Sequence, residues 1–438
     1  MKNRKLGVIS IMLMVMVILS ACSAAIPETP IDETEETVST KPFEGHTLVV
    51  WIGSHAVEQE PIWNKWVADF EDMTGANIEL SLLGFEGYYE QLVTAYSAGA
   101  PPDVALGDLG GWVPEFAAQG WIIPLEDQIN SWEGKDQIFD NLWVTVTYDD
   151  KYYGLPWDCD SRFLIFNKQM FRDVGLDPEN PPETWDELLQ YAQAINDPEN
   201  GVYGYGVSGA MSELATLGYM MFLGGNGERL LSDDYSQATF NSPEGLEALK
   251  FYTELFTEYE VSPPGTANQG EDEYRNGMAA GKIGMAVGGN WSWPLLYLAN
   301  PDLEGEVGTS LHPYNSEPYS VLGGWATMIS EASNEKELAW EWMKHMTSKD
   351  AWLYWLTQSE GPMPTRKDVA NESPLFEDEK WQVQLETLAY ADARPPIPEY
   401  TQISYEIQLM VQSVITGQST AEEAIERAAS NVNTILGN

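Results

Sequence analysis

Between residues 47 and 106 the apolar residues change period repeatedly, and that alternation restricts the fold more than any other feature of the chain. Thr47 to Ile52 (TLVVWI) is a short apolar run suited to a buried strand. Ile62, Trp66, Phe70 and Met73 then recur at near-helical spacing, and Gly75 stands where such a helix would stop. Asn77 to Leu83 returns to period two, with Ile78, Leu80 and Leu82 on one side. A second helical stretch, Tyr88 to Ala98, closes at Gly99, and Asp103 to Leu106 reads as a third strand. An order of β-α-β-α-β calls for a parallel sheet with right-handed crossovers. Ligands on such sheets sit at the carboxyl ends of the strands, where Ser54, His55 and Asp108 fall.

The pattern restarts further on. Thr184 and Glu187 form a capping box for a helix to about Ile195, and Ser242-Pro243 opens another with Leu246, Leu249, Tyr252 and Phe256 on one face. Ile283 to Val287 and Val321 to Ile329 read as strands, followed by helices at 334–347, near 351–356 and at 420–435. No repeat period suggests a solenoid or propeller.

The first 21 residues carry Lys2, Arg4 and Lys5 ahead of an apolar run from Leu6 to Leu19, too short for a free transmembrane helix and suited to an export signal. Leu19-Ser20-Ala21-Cys22 resembles the bacterial lipobox, which implies cleavage before Cys22 and acylation of its thiol. More than one acyl chain anchors stably, at roughly 0.8 kcal/mol per buried CH₂. Residues 22 to 44 are rich in Pro, Thr, Ser and acid, cannot bury enough area to offset chain entropy, and read as a flexible tether. About 394 residues remain from 45 onward, more than one core normally supports, so two domains are expected. Cys159 is then the only other cysteine, no intrachain disulfide is available, and the thiol reads as a small buried filler because Asp158 and Asp160 disfavour a thiolate.

The formal charge is −46, and about −49 once residues 1–21, with three basic and no acidic groups, are removed. Such a field repels nucleic acid and anionic lipid headgroups, and no local basic cluster is visible that would favour an anionic ligand. The histidines 46, 55, 312 and 345 have no metal-ligand spacing, and neither GxSxG nor a P-loop is present.

Chemistry concentrates at YGLPWDCDSRFLIFNK, residues 153–168, where a restricted Gly-Leu-Pro turn delivers Trp157, Asp158, Asp160 and Arg162 beside an apolar strand. A flat aromatic with short carboxylates suits a polyhydroxylated ligand, the ring covering its C–H face and the carboxylates accepting its hydroxyl protons. A core Trp beside a solvated Asp turn would leave the same signature, and this segment alone does not decide. Trp157, Trp291 and Trp325 each stand at a strand end near Gly or Pro, where backbone approaches a ligand closely, and three such settings favour a pocket. Asp158 and Asp160 are expected to point to opposite faces of one strand, a poor arrangement for paired acid and nucleophile. Glu86, Tyr88 and Tyr89 beside Gly84 and Gly87 suggest a cleft loop.

Pro102-Asp103-Val104, YGLPWDCDSRFLIFNKQMFRDVGLD with PETWDEL after it, GKIGMAVGGNW at 281–291, GGWATMISEAS, GPMPTRKD at 361–368 and Arg394-Pro395, in this order, resemble the family 1 extracellular solute-binding proteins. These are the maltose-binding-protein-like lipoproteins of ABC sugar importers, and the resemblance covers nearly the whole chain after the tether. It implies an α/β, two-lobed periplasmic-binding-protein-like fold, each lobe a mainly parallel sheet flanked by helices, joined by a multi-strand hinge that closes on ligand. Lobe 1 would comprise 45–157 plus about 304–363, and lobe 2 would comprise 158–303 plus about 364–438. Asp108, Trp157, Trp291, Trp325 and Arg366 fall where the family contacts sugar, with Asp158 or Asp160 binding hydroxyls; Arg366 could instead pair with Glu360 or Asp368. The implied function is an extracytoplasmic, membrane-anchored monomer that captures a mono- or oligosaccharide and delivers it to the permease subunits, with no cofactor, metal or catalytic residue and no nucleic acid partner. A secreted glycoside hydrolase shares the acidity and aromatics but needs two carboxyls opposed across a bond.

Overall fold

The computed structural model describes residues 41–53, 59–84, 87–359 and 361–437. The expected export signal, Cys22, the tether as far as residue 40, and Ser54, His55, Glu86 and Glu360 lie outside these residues. Residues 41–44, expected as the end of the tether, already turn against the body: Lys41 pairs with Asp72 at 3.0 Å and the Phe43 N–H donates to the Thr74 carbonyl at 2.9 Å.

The opening alternation forms as its periodicity predicts. Strand β1 (Thr47–Ile52) pairs in parallel with β2 (Asn77–Leu82) and β3 (Val104–Asp108), and the helices Glu60–Thr74 and Tyr88–Ser97 make the crossovers. Gly75 ends the first helix in the left-handed region, φ 79°, where a side chain would be strained. A small hairpin, β4 (Thr147–Tyr148) with β5 (Lys151–Tyr152), leads into β6 (Leu155–Ser161), and after Arg162 the chain continues as β7 (Phe163–Asn167). Then come β8 (Tyr203–Gly206), β9 (Ile283–Gly288), β10 (Val307–Ser310), β11 (Ser320–Ile329), β12 (Met363–Pro364) and β13 (Ala391–Ala393).

Two sheets result. One runs β12-β6-β11-β3-β1-β2 with β13 also on β11, and the other runs β10-β7-β9-β8. Both are mixed rather than mainly parallel: β11 runs antiparallel to β3 and β6, and β7 antiparallel to β9 and β10. The reason is connectivity, because strands that pass from one sheet to the other and back enter their second sheet in the opposite sense. Strand pairing puts the first passage at Arg162 and the return between Ser310 and Ser320, beyond the expected 157 and 304, because β6 keeps pairing with β11 as far as Ser161.

Strands β7, β9 and β11 are buried along their whole length, which explains their unbroken apolar runs. The helix Glu213–Gly225, which no periodicity revealed, is buried on all sides beyond its first residue, so it has no polar face to mark it. Both expected capping boxes, at Thr184 and Thr420, are formed. Behind β6 lies a tryptophan cluster: Trp157 sits 5.2 Å from both Trp63 and Trp352 and 5.5 Å from Trp355. Each such ring buries on the order of 150–250 Å², about 4–6 kcal/mol of transfer free energy before chain entropy is counted.

Candidate functional site

A cavity of about 590 Å³ opens where the two sheets meet, within the range of small-molecule sites. Its wall combines Asp108 from β3, Trp157, Asp158 and Asp160 from β6, Arg162 after it, Gly324 and Trp325 from β11, Asn290 and Trp291 after β9, Glu213, Glu271 and Arg275 from helices, and Arg394 after β13.

The close approach of β11 to β6 shapes one side. Gly324 has φ 124°, and a Cβ there would fall 2.4 Å from the Asp158 carbonyl; at Gly323 it would fall 2.3 Å from the Asp160 carboxylate. The glycine pair therefore admits the neighbouring strand's backbone at Asp158 and the Asp160 carboxylate, where the sequence had suggested room for ligand. Register slips between Trp325 and Ala326, whose partners are Asp158 and Pro156, so Trp157 is the extra residue of a bulge. Trp157 is 2 % exposed and its ring belongs to the tryptophan cluster as much as to the cavity. Trp325 lies against Trp112 at 5.7 Å and Tyr88 at 6.1 Å.

Asp158 and Asp160 both reach the cavity, as residues two apart in a strand do, which corrects the expectation of opposite faces. The Trp325 N–H donates to Asp158 Oδ1 at 2.5 Å. Burial, and then the Asp160 charge, push the Asp158 carboxyl well above its ordinary value. Burial also raises Asp160, but Arg162, which pairs with it, and Arg394 oppose the rise. Cys159, between them, is buried, and burial first, then both carboxyls, raise its thiol, consistent with a filler.

Arg162 also lies over Trp291, its guanidinium carbon 4.2 Å from the ring centroid, while the Trp291 Nε1–H donates to Glu271. One face of that expected sugar platform is thus held by an arginine.

Arg394 is the site's main omission from the sequence reading. It is 2 % exposed; Nη2 lies 2.8 Å from Asp108 and Nη1 donates to Glu213 at 3.0 Å. Glu213 accepts in addition from Tyr400 and Ser404, both at 2.5 Å. Burial opposes a charge on Arg394, but Asp108 and Glu213 outweigh it and hold the guanidinium well above its usual value. Gly110 makes room, since a Cβ there would fall 2.1 Å from Cζ. Arg394-Pro395 was visible as a motif, but nothing in the spacing tied it to Asp108 or Glu213.

The structure does not bring Arg366 to this cavity. Its Nε and Nη2 donate to both oxygens of Asp368, at 2.9 and 2.7 Å, and Nη1 to the Thr347 carbonyl, at 3.3 Å, beside a separate surface groove. Conversely, Arg162, Arg275 and Arg394 converge although no basic cluster shows in the sequence. Each is paired with carboxylates, so the cavity gains no positive excess. Among the described residues no cluster of three or more His, Cys, Asp or Glu side chains could hold a metal ion.

This architecture, two mixed sheets with a polar, aromatic-walled cavity where they meet, defines a two-lobed α/β binding protein. The model of the bacterial extracellular solute-binding protein family matches residues 56–351, and the chain belongs to that family. An ABC transporter solute-binding protein of Thermotoga lettingae TMO, solved with bound α-D-tagatose, is 54% identical, with a TM-score of 0.87 over 90% of this chain and 100% of that one. Maltose-bound MalE3 of T. maritima is 26% identical, with a TM-score of 0.80 over 89% and 99%. The diacetylchitobiose binding protein DasA of Streptomyces coelicolor is 25% identical over 97% of this chain and 96% of its own.

Proposed function

We propose that this chain is the extracytoplasmic solute-binding component of an ABC importer, and that its cargo is a neutral sugar or polyol held between two lobes. The observation that carries this reading is the wall itself. Indole faces at Trp291 and Trp325 stand beside carboxylates and guanidinium groups that can bind several hydroxyls, with each arginine paired to acids so that no positive excess selects an anionic cargo. The tagatose- and maltose-bound relatives support it. Each stacked ring adds about 0.5–1.5 kcal/mol beyond area burial, so two rings and a few hydrogen bonds reach the roughly 8 kcal/mol of micromolar binding.

In this reading the lobes divide at Arg162 and again between Ser310 and Ser320, closure brings Asp108 and Trp325 from one sheet against Asn290 and Trp291 from the other, and the closed surface is what the permease subunits read. Asp108, Asp158, Asp160, Trp291, Trp325 and Arg394 contact cargo; Trp157 backs them. The chain is held at the membrane as a monomer through acylated Cys22 and returns its sugar unaltered.

The test is a thermal-shift screen of the purified protein against monosaccharides, polyols and oligosaccharides, with the ligand recovered and analysed. A ligand at 100 times its Kd adds about 2.7 kcal/mol of stability, which a melting curve resolves. A hit recovered intact is expected. Turnover of the ligand, or no shift with any neutral sugar or polyol, would count against the proposal; the same cells, fractionated, should hold the protein with the membranes.

A further inference from the structure

Several buried tryptophans and serines leave their single polar atom unpaired, but among the described residues only one buried side chain with two polar atoms leaves both unpaired. Asn290 is 1 % exposed and lies on the cavity wall, yet neither its Nδ2 nor its Oδ1 has a hydrogen-bond partner among the described residues. Of the other cavity side chains with an orphaned atom, all but Ser212, whose single Oγ is also unpaired, have a local reason. The indole nitrogens of Trp63 and Trp157 lie inside the tryptophan cluster, and Arg162 and Arg394 engage carboxylates through their other nitrogens. No other buried amide is orphaned at both ends among the described residues.

The position is tightly set. Strand β9 ends at Gly288, Gly289 follows, and its N–H donates to Ser292 Oγ at 3.2 Å, closing a turn around Asn290. Across the cleft, a Cβ on Gly361 would stand 3.3 Å from the Asn290 main-chain carbonyl oxygen, so the two walls meet there. A buried amide that forgoes both hydrogen bonds costs stability, and native structures seldom keep one without a function.

An amide presents a donor and an acceptor side by side in one plane. Among the groups a sugar or polyol carries, a vicinal diol satisfies both at once, one hydroxyl oxygen accepting from the NH₂ and its neighbour donating to the carbonyl. An ammonium or a carboxylate would satisfy only one end. We infer that Asn290 reads a vicinal diol of the cargo and is the residue that rejects cargo lacking either hydroxyl. This rests on the sugar-or-polyol reading of the cavity and adds to it a specific discriminator.

The test uses the full protein with Asn290→Leu and, as the acceptor-only control, Asn290→Asp. The probes are D-tagatose and its set of monodeoxy analogues, titrated by calorimetry. The wild type should bind at least one monodeoxy analogue on the order of 10- to 100-fold more weakly than D-tagatose. Asn290→Leu should lose that discrimination, weakening D-tagatose by a similar factor while leaving the analogue nearly unchanged, and Asn290→Asp should fall between. Without ligand, Asn290→Leu should melt at or above the wild-type temperature, because it removes an orphaned amide. A ligand-free melt several degrees lower, or affinities that fall equally for every probe, would overturn the inference and make Asn290 a structural residue. If the wild type binds no sugar or polyol at all, the cargo reading fails separately. The ligand-free melt then decides alone, a drop overturning a ligand-reading role and a rise supporting it.

Discussion

Removing Arg394 should reveal how much of the molecule depends on one buried charge. Arg394→Met keeps most of the side-chain volume but leaves Asp108 and Glu213 without their cation, although they stand 2.8 and 3.0 Å from it in the wild type. Taking one partner from a buried ion pair costs about 3–5 kcal/mol, because the remaining charge stays desolvated. Unfolding entropy near 2.1 cal/mol/K per residue over roughly 400 residues is about 0.8 kcal/mol/K, so the melting temperature should fall by about 4–6 °C. Arg394→Lys keeps the charge but not the fork that reaches two carboxylates, and should fall between the two. Scanning calorimetry of the three proteins at pH 7 measures both effects. An Arg394→Met melt within a degree of wild type, or an Arg394→Lys melt below that of Arg394→Met, would refute the assignment.

Two tryptophans that look alike in sequence should behave oppositely. Trp157→Ala, which hollows out the tryptophan cluster, is expected to cost about 3–5 kcal/mol of stability. Trp291→Ala, at a half-buried ring, should weaken sugar binding at least about tenfold with a melt lowered by only a degree or two; the reverse pattern in melts and titrations would exchange their roles. Asp158→Asn tests the buried carboxyl. Burial, then Asp160, raise its folded pKa above the ordinary 3.8, so its protonated form is favoured in the fold, and the associated stability is present at low pH and lost as pH rises through the folded value. The asparagine variant lacks that loss, so its melt should gain on the wild type between pH 4 and pH 7, and a constant difference across that range would rule the explanation out.

Periodicity and caps were enough to place the parallel β1–β2–β3 core, the capping boxes at Thr184 and Thr420, and, in the second half, strands β9 and β11 and the helices Pro243–Thr257, Lys336–Met346, Lys349–Gln358 and Ala421–Ile435, because these depend on neighbours within a few residues. The helix Glu213–Gly225 escaped because complete burial erased its polar face. Most of the expected site residues do line one cavity, since strand ends and Gly-rich turns gather where sheets meet. Arg366 does not, because Asp368, two residues on, offers a bidentate partner that no ligand had to supply.

From the sequence alone came the alternating α/β order, the family resemblance, the acidic field and the aromatic residues set beside glycines, all properties of short segments or of composition. Only the tertiary structure decided what those segments meet. It showed that β11 presses its glycines against β6, that a bulge turns Trp157 into the core, and that Arg162 covers Trp291. It also showed that Arg394 joins Asp108 to Glu213 across gaps of hundreds of residues. The reason is physical: a buried charge or amide is defined by the partners that desolvate and pair it, and those partners are neighbours in space that the chain order does not reveal.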